Sequence, residues 1–128
     1  MVEYYGWLNI SESLDGENET NILKIISDIQ DRLPLELRKN RFLELKAFNG
    51  SFVLNCAGVT NRHNAEIDFI LSLFNDIAKK AVGTYGLLYL KKSDLNYFEV
   101  IKVSKGEIVK IKDSLLSPCM PKIEDNVK

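Results

Sequence analysis

The sequence predicts an α+β fold, an antiparallel-rich sheet of about six strands with two helices packed on one face. Three observations carry this. Asn49-Gly50 separates two apolar-rich runs, RFLELKAF and SFVLNCAG, and supplies the positive φ angles that a two-residue hairpin turn requires. Two segments, Ile22 to Leu33 and Ile67 to Ala81, repeat their apolar residues at helical spacing. Nearer the C-terminus, Tyr97 to Val103 and Glu107 to Lys112 flank Lys105-Gly106 as a second hairpin.

The first element is a strand, Glu3 to Ile10, rich in aromatic and β-branched residues. It sets Tyr5, Trp7 and Asn9 on one face and Tyr4, Leu8 and Ile10 on the other, while Gly6 marks a bulge or the close approach of another backbone. SESLDGENET follows as a polar loop. A helix begins at Thr20 or Asn21, either able to cap it, runs through Ile22, Ile25, Ile26, Ile29 and Leu33, and ends at Pro34. A short basic link, Leu37 to Asn40, leads into the first hairpin. With Asn49-Gly50 as its loop, Leu43 faces Cys56, Leu45 faces Leu54 and Ala47 faces Phe52 on a dry side. Glu44 with Asn55 and Lys46 with Val53 make a wetter one.

Thr60, Asn61 or Asn64 caps a second helix, whose buried stripe is Ile67, Ile70, Leu71, Phe74, Ile77, Ala78 and Ala81, widened by Phe69 and Leu73. Lys79 and Lys80 fall in its last turn, where the helix dipole favours positive charge, and Gly83 stands at the place of a left-handed cap. YGLLYLKK is then a strand whose nearly continuous apolar run argues burial on both faces or a central place in the sheet. In the second hairpin a two-residue loop sets Val103 opposite Ile108, and a three-residue loop sets Ile101 opposite Val109; both remain open. LLSPCMPKIEDNVK, with Pro118 and Pro121, is an extended tail.

The 128 residues suit one domain, with a tail over 114–128, that buries roughly two thirds of its unfolded surface without staples. MVEYYGWLNI lacks a basic leader, and no apolar run nears the roughly 20 residues of a membrane span, so neither export nor a membrane is expected. Cys56 and Cys119 lack metal spacing and read as free thiols of a reducing cytoplasm. The net charge of −1 hides an asymmetry. Residues 1–37 carry eight acidic and two basic side chains, a balance of −6, and residues 38–128 carry fifteen basic and ten acidic, a balance of +5. Such a split concerns fields and partners rather than fold.

Residue type and spacing raise several chemistries. Cys56 and His63 are close enough in sequence for a nucleophile pair, but Cys56 points into the predicted core, where a thiol is an inert small hydrophobe. One histidine and two distant cysteines make no metal ligand set. The Gly83-Thr84-Tyr85-Gly86 stretch follows a helix and precedes a strand, the reverse of a phosphate-binding loop, and reads as a cap and turn. Lys91, Lys92, Lys102, Lys105, Lys110 and Lys112, interleaved with Tyr89, Tyr97 and Phe98, offer a nucleic-acid face, but lysine also guards exposed sheet edges, and no arginine follows Arg62. Glu12, Asp15, Glu17 and Glu19 crowd one loop; they are solvated or they meet a basic partner.

EYYGW at the N-terminus, GTYGLLYL after the second helix and LSPCMPKIED in the tail together resemble the immunity protein 7 family, small cytoplasmic antidotes encoded beside toxins of bacterial polymorphic toxin systems. The matching positions are Gly6, Trp7, Gly83, Tyr85, Gly86, Tyr89, Ser117, Pro118, Cys119 and Pro121. Tyr5 departs from the histidine common there. The resemblance implies a non-catalytic protein without cofactor that binds and neutralises a cognate toxin. A small nucleic-acid-binding module or a stand-alone small enzyme is the competing class. A toxin gene immediately upstream favours the first reading, and a deep polar pocket around His63 favours the enzyme.

Overall fold

The two glycine-containing turns set the register of both hairpins. In the computed structural model, which describes residues 1–15, 20–39, 42–60 and 65–116, Asn49 and Gly50 both take positive φ, at 47° and 85°, and Lys105 and Gly106 do the same at 53° and 78°. Two consecutive left-handed residues twist a turn to match its flanking strands. The first turn joins β2 (Leu43–Phe48) to β3 (Ser51–Thr60), with Leu43 opposite Cys56 and Leu45 opposite Leu54 as the sequence required. The second joins β5 (Glu99–Ser104) to β6 (Glu107–Lys112), and here the two-residue loop prevails: Val103 faces Ile108, while Ile101 faces Lys110.

The remaining strands, β1 (Val2–Ile10) and β4 (Tyr85–Lys92), pair with each other at the centre of a six-stranded sheet of order β2-β3-β1-β4-β5-β6. All its pairings are antiparallel. β3 and β4 flank β1, so the chain must pass over β1 between them, and α3 (Ala65–Lys80) makes that crossover. The central place of β4 is the alternative that its apolar run had offered; its outward side chains Tyr85, Leu87 and Tyr89 are only partly covered or exposed.

One side of the sheet is dry. Val2, Tyr4, Leu8 and Ile10 of β1 join Leu54 and Cys56, Leu88 and Leu90, and Ile101 and Val103 in a core closed by Ile26 and Ile29 of α1 (Ile22–Arg32) and by the predicted stripe of α3. Arg32 bridges to Asp76 at 2.9 Å, tying α1 to α3 on this side. The Tyr4 hydroxyl donates to Glu66 Oε2 on α3, which lets a phenol sit in the core with its polar end satisfied. Burial, then that carboxylate, push the Tyr4 pKa far above the usual phenol range. Among the described residues no helix is long and apolar enough to cross a membrane.

Four local expectations change. A third, five-residue helix, α2 (Leu35–Lys39), follows Pro34 where a link was expected, because proline fits the start of a helix, where its missing N–H is not needed. Asn21 does stand at the N-cap of α1 but makes no side-chain cap bond. Gly83 is not in the left-handed region. The dry face of the first hairpin fades toward its turn: Leu43, Leu54 and Cys56 are buried, Leu45 and Phe52 are half-buried and Ala47 is exposed. The caps expected over residues 61–64 lie outside the described residues.

Candidate interaction surface

The outward side chains of the two central strands converge on the sheet face that carries no helix among the described residues. An antiparallel sheet with one wet face normally alternates apolar-in with polar-out. β1 and β4 instead present Tyr5 and Trp7 beside Tyr85, Leu87 and Tyr89. The register sets Trp7 against Leu87 and Asn55, and Tyr5 against Tyr89 and Ala57. Trp7 and Tyr85 pack edge to face, with ring centroids 5.9 Å apart and planes at 89°, a favoured aromatic geometry. Trp7 is 39% and Tyr85 50% exposed. Val59 on β3 and Val109 and Ile111 on the edge strand β6 are further exposed apolar side chains of the same face.

Polar groups frame it. At one end the Tyr5 hydroxyl donates to Glu3 Oε1 at 2.7 Å, and Glu3 pairs with Lys91 at 3.6 Å. Toward β5, Tyr89 packs edge to face on Phe98 and donates to Asp113 Oδ1 at 3.4 Å. Asp113 is almost fully buried and accepts the Leu116 N–H at 2.6 Å, so the chain leaves β6 tied to Tyr89. Burial and then the Asp113 carboxylate raise the Tyr89 pKa. Sequence reading missed Asp113; its position just past a strand end offered no signal.

At the opposite end lies the acidic loop. The Ser11 N–H donates to Thr84 Oγ1 at 3.2 Å, the Ser11 hydroxyl donates to the Ser13 carbonyl at 2.9 Å, and Ser13 Oγ donates to Asp15 Oδ1 at 3.0 Å. Glu12 Oε1 accepts the Asn21 N–H at 2.8 Å, placing a carboxylate at the start of α1 where the helix dipole favours it. A Cβ on Gly83 would overlap the Ser13 carbonyl, which is why this position admits only hydrogen. The turn therefore rests on Gly83 and Thr84, the two residues before Tyr85. Glu17 and Glu19 lie outside the described residues.

Six of the family-motif positions thus gather at the β1–β4 junction: Trp7, Tyr85 and Tyr89 on the open face, Gly83 under the acidic turn, and Gly6 and Gly86 where the two backbones approach. A Cβ on Gly6 would come within 2.7 Å of the Leu87 carbonyl, and one on Gly86 would overlap that of Trp7. Close approach, rather than a bulge, explains Gly6. Ser117, Pro118, Cys119 and Pro121 lie outside the described residues.

The other candidates do not assemble into a site. Cys56 is buried, and burial pushes its thiol up to about 12 despite a backbone hydrogen bond to Gly6; His63 lies outside the described residues. Among the described residues no group of histidine, cysteine and carboxylate side chains suits a metal ion. The lysines divide between the two faces. Lys92 and Lys110 meet Glu99 on the helix side at 2.8 and 3.3 Å. Burial alone would raise the Glu99 pKa, but the two ammonium groups outweigh it and hold the carboxyl below its ordinary range. Beside this triad a cavity of about 600 Å³ is lined by apolar Ile67, Leu71 and Ile101 with Asp68 and Asp94 as well as the two lysines, and its charges offset one another.

No curated protein and no solved structure matches the chain. The model of the family described as immunity protein 7 matches residues 1–125, nearly the whole length, and the chain belongs to that family.

Proposed function

We propose that the chain is the immunity partner of a toxin of a bacterial polymorphic toxin system. It binds the cognate toxin in the cytoplasm and neutralises it, protecting the producing cell. The 128 residues act as one domain, without catalysis and without a cofactor. The observation that carries this reading is the family match across residues 1–125. The buried Cys56 and the division of the lysines between two faces favour it over an enzyme or a nucleic-acid module. Glu12, Asp15, Glu17 and Glu19 supply a negative surface for a basic cleft such as a nucleic-acid-cutting toxin would present, a decoy for phosphate that speeds encounter.

Co-expression with the toxin encoded next to the gene tests the reading. Growth should be rescued and the two proteins should co-purify at equal stoichiometry. Unrescued growth with the chain folded and abundant, together with no complex, overturns it.

A further inference from the structure

The open face is unusual for a surface that meets only water, since its central rings and aliphatic side chains replace the polar residues expected there. Tryptophan and tyrosine are the side chains that most often anchor protein interfaces, offering large rigid area with a polar edge. Most of the charges around them are paired. On this face Lys46 is held by Glu44 at 3.4 Å and Lys91 by Glu3 at 3.6 Å, and the register neighbours of Trp7 are the neutral Asn55 and Leu87, while Lys102 stands exposed on β5 opposite Leu87. The Glu12–Asp15 turn adjoins Tyr85 through Thr84 and belongs to the stretch with a balance of −6. An apolar centre with an acidic margin is complementary to a basic protein surface that offers an apolar or cationic group to the rings.

We propose that the sheet face opposite α1 and α3 is the toxin-docking surface, with Trp7 and Tyr85 as its anchor and the Glu12–Asp15 turn as a rim facing basic groups of the toxin. This rests on the immunity reading and assigns the contact that it leaves open.

Trp7 is the chain's one tryptophan, so 5-fluorotryptophan labelling of the full chain gives a single ¹⁹F resonance at the proposed anchor. Titration with the inactivated cognate toxin should shift it. Tyr85→Ala and Trp7→Ala should each weaken binding by about 30-fold or more, as anchor residues do, while Leu23→Ala on the exposed side of α1 leaves affinity unchanged. Circular dichroism and thermal melting show which variants fold, and the labelled wild type supplies the test if neither does. If the wild type fails to bind the toxin at all, the immunity reading falls. If it binds and the resonance stays fixed, or folded Tyr85→Ala binds as tightly as wild type, only the docking surface falls. A resonance that moves with the chain's own concentration assigns the face to a second copy, and acrylamide-inaccessible Trp7 in the free protein assigns it to the chain itself; either result overturns the proposal.

Discussion

Leu54 and Leu45 face each other across the first hairpin in unequal surroundings. Leu54 is fully buried on β3, beneath the helices, and Leu45 is half-buried on the edge strand. Leu54→Ala should therefore cost about 2 to 5 kcal/mol, the range for a core leucine, and Leu45→Ala about 1 kcal/mol. Urea melts of the two variants measure both, and equal losses would show that the hairpin end is covered. Tyr4 and Cys56 make a second prediction at this scale. Each holds its proton more tightly folded than unfolded, with Cys56 pushed from 9.0 up to about 12 and Tyr4 raised above 10.0. Above pH 9 the unfolded chain releases protons that the native chain keeps, so their contribution is fully present below that pH and drains away through 9 to 12. The urea midpoint should fall over that window, and Tyr4→Phe with Cys56→Ala should flatten the fall. A slope unchanged by the double variant would remove these two groups as its cause.

Among the elements, the two hairpins had different legibility. Asn49-Gly50 is a pair that accepts left-handed backbone, and the register read from it is the one observed. Lys105-Gly106 uses the same conformation with a residue that pays a steric penalty there, so its sequence is compatible with two loop lengths. Lys105→Asn relieves that penalty and should stabilise the chain by about 0.5 to 1 kcal/mol, raising the melting temperature with toxin binding intact. A lowered melting temperature would mean that the lysine side chain contributes more than its backbone costs. Helix boundaries show the reverse case. The stripe of α3 was legible as an apolar period, but α2 is too short to show one and exists through its start at Pro34, where the Arg38 N–H reaches the Pro34 carbonyl at 3.1 Å.

At the scale of the whole molecule, the charge split becomes a surface property. Changing Glu12, Asp15, Glu17 and Glu19 to Gln or Asn should slow toxin association on the order of tenfold at low ionic strength and much less at high salt, because the field is screened within about 10 Å at 0.1 M. Stopped-flow rates at two salt concentrations measure this, and melting should barely move, since Gln at position 12 still accepts the Asn21 N–H. A wild-type rate at low salt would mean that the loop is only solvated. The sequence by itself determined what local physics controls: the alternation of β1, the periods of the two long helices, the turn at Asn49-Gly50 and the family motifs. Only the tertiary structure decided that β1 and β4 pair at the centre, that six motif positions meet there, that Lys92 and Lys110 turn toward Glu99 while Lys91 turns to Glu3, and that Asp113 ties to Tyr89. The reason is distance along the chain. A hairpin register is fixed by residues within a few bonds of the turn, whereas β1 and β4 are more than seventy residues apart, and their pairing follows from burying the whole apolar face beneath the crossover helix.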